Sequence, residues 1–483
     1  MIFEAEKRIA QAEEEFKSLC EYVTGEAQDQ DAYTVEKRVF KEVLRMALSL
    51  MAAYFDEKQG GDVGDAVVTD TDDYLPRERL KSKRFICIFG ELLLQRWYYH
   101  EDNRPGVFPL DEDVNLPERC YSYFVQELTG QRAGLMAYDE IIGELTRLFG
   151  FAPYKHSIED MAAEAAQDAD VFTESLPQPQ PHDEPDILVS AIDGKGVPIV
   201  KNDPAEHKVR LKRGEKRSRK KEATVSTVYT VEPYYRTSEQ IVGEIRDRQG
   251  APDRPKPHNK RVRATLQSKE NGFDWVAHEM NRRDPDGTKK RVCLMDGAKG
   301  LWTQALAKLD GCTFILELFH PLEYLWQAAH VFHPEGSDEA EAFVRKRLKM
   351  LLDGKVGYVI GGLRQMLVKH RRRLGAQKRK TLHTVINYYA CRRQWMRYDK
   401  YIAAGLPIGA GAVEGACLHL VKDRMEGSGM RWTVPGAEAV LKLRATHLNG
   451  DWDSYWDYHM QCEKQRRFED CKWRPSSAQH AAA

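Results

Sequence analysis

Four prolines in one short stretch, Pro177, Pro179, Pro181 and Pro185, constrain this chain more than any other feature. Proline fixes φ and donates no backbone hydrogen bond, so neither a helix nor a central strand runs through such a stretch. Residues 176–186, with Gln and acidic residues between the prolines, read as a linker. The pattern changes across it. Before it, apolar residues recur at three- and four-residue spacing among charges, the helical period. After it come short runs rich in Val, Ile and Thr, the signature of strands. A chain of 483 residues exceeds one ordinary core, and roughly two to four domains are expected.

Residues 1–60 read as helical, through Ile2–Val23 and Val35–Phe55. Gly60, Gly61 and Gly64, with the acidic run Asp70–Asp73, mark a flexible break. Residues 61–175 read as a hairpin, Arg84–Phe89 and Leu92–Tyr99 about Gly90-Glu91, followed by helices. Those helices are Glu118–Leu128, Tyr138–Phe149 and a third begun by a capping pair, Ser157 with Asp160. Short helices about a glycine-containing turn suit a helix-turn-helix, a motif that binds DNA. The third helix carries Glu159, Asp160, Glu164 and Asp168, which repel phosphate, so a packing role stays open. Residues 187–321 hold strands at Ile187–Ile192, Ala223–Val231, Arg291–Met295 and Thr313–Phe319, with a helix at Asp274–Arg282. Residues 322–406 read as helical and basic in the middle. Residues 407–483 begin with glycines and a helix near Val413–Met425.

The net charge of -1 names no partner, so any basic surface for nucleic acid must be local. Val43–Phe55 is the longest apolar stretch, is broken by Arg45 and Ser49, and is too short to span a bilayer. The N-terminus lacks the pattern of a signal peptide, and a cytoplasmic protein with no membrane partner is expected. Nine cysteines without a Cys-x-x-Cys pair read as reduced thiols.

Two carboxylates end predicted strands and precede glycine: Asp193, in Asp193-Gly194-Lys195-Gly196, and Asp296, in Asp296-Gly297-Ala298-Lys299. Strands of one sheet can bring such ends together. Each acid has a lysine close behind it, Lys195 or Lys299, able to approach a phosphate backbone. A third acid, Glu414, opens the helix after Pro407–Gly411. Phosphodiester hydrolysis and transesterification need an activated water or 3′-hydroxyl and a neutralised leaving oxygen. Two Mg²⁺ ions about 3.5–4 Å apart supply both, and magnesium prefers carboxylate oxygens. Taken singly, Asp-Gly after a strand is most often a turn, and Glu at a helix start most often offsets the helix dipole.

The blocks Asp193–Pro198, Asp296–Ala298, Pro407–Glu414 and Val421–Trp432 resemble the DDE motif blocks of ISKra-type insertion-sequence transposases. Gly106–Asp111 resembles that family's N-terminal half, and the resemblance runs from about Phe89 onward. It implies an α/β, RNase H-like mixed sheet with a helical insertion before the last acid, preceded by a mainly α-helical N-terminal region. It implies that Asp193, Asp296 and Glu414 are catalytic and bind Mg²⁺, with Mn²⁺ substituting. Related transposases carry Cys or Asp, two residues, then His after the second acid. Here the place is Glu317-Leu318-Phe319-His320, which keeps His320 and departs at Glu317, so both are expected to support the site. Cysteine pairs that family members often carry are missing near Tyr99–Asn103, and no zinc is expected.

Lys208–Lys221 holds nine Lys or Arg. Within it Lys212, Arg213, Lys216 and Arg217 are candidate DNA contacts, as is Arg424. Arg371–Arg373, Lys378–Lys380 and Arg392-Arg393 form a second basic cluster. His330 and His333 are a poor zinc pair without a third ligand. Arg431 is expected to brace the active site. Trp432 either stacks on a base or anchors the last helix in the core. The expected partners are the element's terminal inverted repeats and target DNA, with a homodimer or higher multimer on them. The rival readings are a domesticated DNA-binding protein that does not cut and an RNase H-like host nuclease.

Overall fold

The computed structural model describes residues 3–200, 219–247, 254–409, 411–427, 429–469 and 472–476. The chain forms two units. One holds Met1–Glu174 with Asp451–Ala483, the other Ser175–Gly450. Asp451–Ala483, expected with the region from residue 407, thus groups with the N-terminal residues.

The first unit opens with two long helices, Ala5–Thr24 and Ala32–Glu57, and Asp31 caps the second through the Thr34 amide. A sheet follows: β1 (Ala66–Thr69), β2 (Tyr74–Cys87), β3 (Gly90–Tyr99) and β9 (Trp473–Pro475), in the order β3-β2-β1-β9. The expected hairpin is present with longer arms. It turns through Ile88 and Phe89, and Gly90 takes the left-handed φ of 142° that a side chain would resist. Phe55, Phe85, Leu94, Leu110 and Leu116 form a core beneath it.

Helices Tyr123–Leu135, Tyr138–Phe149, Lys155–Ala165 and Ala169–Ser175 complete this unit with Trp452–Phe468. The third begins at Lys155, behind Tyr154, so the expected Ser157–Asp160 cap does not form. Its Ile158, Met161, Ala162 and Ala165 are buried, and of the acids expected on it Glu164 and Asp168, the latter beyond its end at Ala165, have partners within the unit. Arg119 Nε donates to Glu164 at 2.7 Å, and Asp168 accepts from Arg466 at 2.7 Å and bonds buried His459 at 2.6 Å.

The second unit is built on a five-stranded sheet: β4 (Ile187–Ile199), β5 (Arg219–Val231), β6 (His258–Thr265), β7 (Lys290–Met295) and β8 (Thr313–Leu316). The order is β6-β5-β4-β7-β8. Strands β4, β5 and β6 pair antiparallel, and β7 and β8 add in parallel on the other side of β4. The expected strand ending at Asp193 instead runs on to Ile199, because β5 pairs with it along its whole length, from Ile187↔Val231 to Ile199↔Arg219. Helix Lys269–Arg283 packs on β5 and buries Phe273, Trp275 and Val276. Five helices, Phe319–Phe332, Asp338–Leu352, Val356–Lys369, Ala376–Arg392 and Tyr398–Ala403, fill the region expected to be helical.

The proline-rich stretch is bound down rather than free. Lys289 Nζ donates to the carbonyls of Pro181, Glu184 and Pro185, and an Arg282 guanidinium N–H donates to Leu176 O. Proline leaves carbonyls without local donors, and these two cations supply them.

Candidate functional site

The sheet register sets the site. In adjacent parallel strands β4 and β7 the last paired residues are Ile192 and Met295, and Met295 pairs in turn with Leu316 of β8. The next residue on each strand is an acid: Asp193, Asp296 and Glu317. Three carboxylates therefore stand side by side in the backbone at one end of the sheet. Their apolar predecessors are buried and tie the row to the core.

Each acid is held locally. The Gly194 N–H donates to Asp193 Oδ1 at 2.6 Å, and the Cys417 thiol to Asp193 Oδ2 at 3.4 Å. Burial, reinforced by that carboxylate, pushes the Cys417 thiol well above its usual range. The Ala298 N–H donates to Asp296 Oδ1 at 2.7 Å, and Trp302 Nε1 to Asp296 O at 2.7 Å. Burial raises the Asp296 pKa, and the neighbouring Asp193 charge adds to the rise. Glu317 Oε2 accepts the amides of Phe319 and His320 at 3.0 and 3.2 Å, so it caps the following helix. Among the described residues its Oε1 is buried without a hydrogen-bond partner. Burial pushes the Glu317 pKa up to about 7, with a further push from Glu414 and an opposing pull from His320.

Glu414 lies exposed on Gly411–Ala416, near enough for its charge to act on Glu317 and Cys417. The helix goes on through a π-helical stretch, Cys417–Lys422, into Asp423–Met425. Such widened turns are frequent at functional sites. His320 is partly exposed, lies 3.8 Å from Glu323, and acts on both Asp296 and Glu317. Among the described residues, no three His, Cys, Asp or Glu side chains stand close enough to cage a metal ion.

Residues of the helical region brace the second acid. Arg392 Nε donates to Gly297 O at 3.1 Å, and its guanidinium lies 4.2 Å from the Tyr388 ring centre. The other side of Tyr388 stacks on Tyr324 at 3.7 Å. The Tyr398 hydroxyl donates to Leu316 O at 2.8 Å, just before Glu317. A cavity of about 420 Å³ lies alongside, lined by Phe319, Gly409 and Ala412 next to the acids and by Tyr229, Tyr234 and Glu244 farther off.

The remaining candidates fall in different places. Lys195 is two residues beyond Asp193 on β4, hence on the same face, and its charge acts on Cys417 and Glu426. Lys299 is exposed at the start of helix Lys299–Lys308, and Arg431 is exposed. Arg424, a candidate DNA contact, is instead buried, with its guanidinium 4.6 Å from the Trp432 ring centre. Trp432 is buried too. Its Nε1 donates to Met425 O at 3.1 Å, and its backbone bonds Pro198 and Val200 at the end of β4. Of its two expected roles, the core anchor is the one this placement suits. Lys212, Arg213, Lys216 and Arg217 lie outside the described residues.

Sequence reasoning set Glu317 apart as a substitute in a support position and missed that it completes the row. The signal was there: Thr313–Leu316 is a third apolar run ending in an acid. Cys417, Tyr388 and Arg392 carried no comparable signal, because only the fold brings them to the acids.

No family model matches the chain, and no curated protein matches it in sequence. One solved structure, the Drosophila P element transposase strand transfer complex, is similar over 71% of this chain and 80% of that chain, at 9% identity and a TM-score of 0.24. At that score the likeness establishes neither a shared fold nor a shared chemistry.

Proposed function

We propose that this chain is a DDE-type DNA transposase of the ISKra kind, whose second unit is an RNase H-like domain with Asp193, Asp296 and Glu414 as its catalytic acids. The observation that carries the reading is the register: Asp193 and Asp296 follow paired residues on adjacent parallel strands. The sheet supports it, because an antiparallel meander extended by two parallel strands is the arrangement expected of an RNase H-like domain. So does Glu414, whose charge reaches the same carboxylate cluster from a helix that follows a helical region.

The donor chemistry fits a hard divalent cation. Burial and mutual repulsion oppose ionisation of Asp296, and Glu317 keeps a buried acceptor oxygen with no partner among the described residues. Both are relieved by positive charge. Asp193 and Asp296 would hold Mg²⁺, or Mn²⁺ in its place, with Glu414 turning in from its exposed position. Bound there, the metal supplies a more acidic water and charge on the leaving oxygen.

The chain's own residues do the rest. Asp193 is held by the Gly194 amide and the Cys417 thiol and Asp296 by the Ala298 amide, at neighbouring places along one end of the sheet. Lys195 offers a cation to the phosphate backbone beside them. In cleavage a water oxygen bonds to phosphorus, the P–O3′ bond breaks, and the 3′ oxygen leaves as a hydroxyl. In joining, that hydroxyl attacks a target phosphodiester, whose own P–O3′ bond breaks, so the number of phosphodiester bonds is conserved. His320 would contact the scissile phosphate or support an aspartate, its charge acting on Asp296. The substrates on this reading are the terminal inverted repeats of an insertion sequence and a target duplex.

Joining separates this reading from a host nuclease. A labelled duplex ending in the element's 3′-hydroxyl terminus is incubated with protein, Mg²⁺ and supercoiled plasmid. Covalent transfer of label to the plasmid supports a transposase. Nicking of the plasmid without transfer would replace it with a nuclease.

A further inference from the structure

We infer that one face of the N-terminal helical hairpin is the docking surface for the same face of a second copy of this chain, so that two hairpins join as a four-helix bundle. The hairpin is antiparallel. Glu4 meets Asp56, Glu15 meets Ser49, and Tyr22 meets Gln30. Its inner seam uses Ala12, Leu19 and Tyr22 on Ala5–Thr24, and Val35, Val39, Met46 and Ala53 on Ala32–Glu57, all buried or half-buried.

A second apolar stripe on each helix stays largely exposed among the described residues. On the first it is Ile9, Phe16 and Val23, spaced by seven, with Phe16 57% exposed. On the second, Tyr33, Phe40 and Tyr54 follow the same seven-residue period, with Ala47 at the intervening place and Tyr33 69% exposed. Val43 and Leu50 occupy the places three residues after Phe40 and Ala47, also exposed. This is the alternating three-and-four spacing of a helix that packs along another helix.

At 100° per residue the outer stripe lies roughly 70° from the inner seam on the first helix and about 100° on the second. Both displacements run in the direction of increasing residue number. Because the helices are antiparallel, both stripes then fall on one side of the hairpin. Exposed apolar side chains scattered singly need no explanation, but a contiguous face of this kind does.

The occupant follows from period and charge. A seven-residue repeat on two neighbouring helices matches helices of the same period, which a second hairpin supplies. The first helix carries five acidic and three basic residues, the second four of each. That balance attracts neither DNA phosphate nor an anionic bilayer, and mixed charges beside the stripes suit self-pairing. The second stripe runs about 30 Å along its helix, and two helices side by side are about 20 Å across. Such a face is of the order of the ~800 Å² per partner that a stable dimer needs.

The test is sedimentation velocity of the full chain from about 1 to 50 µM without DNA, under reducing conditions because Cys20 is exposed. Wild type is compared with Phe40→Glu/Leu50→Glu and with the conservative Phe40→Leu/Leu50→Met. The expected result is a dimer for wild type and the conservative variant. The charged variant is expected to be monomeric, with self-association weakened at least 100-fold and an unchanged circular dichroism spectrum. A wild type that stays monomeric throughout, or a charged variant that still dimerises, would overturn the proposal. An unfolded charged variant would also contradict it, since the face would then be packed within the monomer.

Discussion

Asp193 and Asp296 each stand one residue beyond a paired position, Ile192 opposite Met295, on neighbouring parallel strands. This juxtaposition predicts that the two acids oppose one another when no cation is present. Asp296→Asn removes a carboxylate whose ionisation burial and Asp193 disfavour. Without divalent metal, the variant is expected to melt about 2 °C above wild type, as measured by calorimetry. Mg²⁺ should raise the melting temperature of wild type and not of the variant. An Asp296→Asn protein less stable than wild type in chelator would show that the carboxylate is a structural anchor.

Glu317 makes the metal-free protein pH-dependent. Burial raises its pKa from 4.5 in the free side chain to about 7 in the folded chain. A raised folded-state pKa means that the folded protein binds the extra proton, so stability is fullest below pH ~4.5 and falls as pH rises towards 7. The loss is on the order of 3 kcal/mol. Glu317→Gln should flatten that slope between pH 5 and 8 in denaturant titrations. An unchanged slope would remove Glu317 as its source.

Asp168 works in the opposite sense in the other unit. Burial pushes its pKa up, but hydrogen bonds from His459 and Arg466 outweigh burial and hold it below the usual carboxylate range. Its contribution is therefore present above pH ~4 and lost as pH falls further. Asp168→Ala leaves buried His459 without that partner and should cost about 3 kcal/mol at pH 7, read from urea unfolding. A cost below ~1 kcal/mol would mean that water replaces the carboxylate.

A side chain at Gly297 would place its Cβ 2.6 Å from the Tyr388 hydroxyl. Tyr388 cannot yield readily, being held between Tyr324 and Arg392. Gly297→Ala should therefore cost about 1–3 kcal/mol and reduce DNA cleavage by displacing Asp296. Adding Tyr388→Leu should recover much of both. Lack of recovery would place the damage in the backbone at Gly297 instead.

Trp432 closes the end of β4 onto the helix bearing Glu414. Trp432→Ala should destabilise by about 3 kcal/mol while leaving DNA affinity, measured under conditions where the variant is folded, within about twofold of wild type. A tenfold loss of affinity in a folded variant would restore Trp432 as a DNA contact.

What the sequence made legible follows from periodicity. Strand runs such as Ile187–Ile192 and Arg291–Met295 announce themselves by β-branched and apolar content, and the region after residue 322 by helical spacing. Asp193 and Asp296 could be chosen because each ends an apolar run. The full length of β4 was hidden, since Gly194, Gly196 and Pro198 look like a turn until β5 is known to pair with them. Strand β6, whose residues His258–Thr265 are mostly charged or polar, has no apolar run to betray it. Tyr388 and Arg392 reach Gly297 across almost a hundred residues, a contact that no local pattern encodes. The acids of Lys155–Ala165 looked like a bar to phosphate, whereas Glu164 and the neighbouring Asp168 are spent on partners inside the unit.

The central claim is that Asp193, Asp296 and Glu414 form a metal-dependent site that cuts DNA. The most direct measurement incubates purified protein with labelled DNA spanning the flanks of its own gene, in Mg²⁺ and in Ca²⁺, beside Asp193→Asn, Asp296→Asn and Glu414→Gln. Loss of outer partners of metal ligands already costs 10–100-fold, so loss of a ligand should cost at least about 100-fold. The account predicts Mg²⁺-dependent nicks at one fixed position that expose 3′-hydroxyls, lost in all three variants while DNA binding persists. Cutting that survives the three substitutions would place the active site elsewhere, and binding without cutting in the wild type would contradict catalysis.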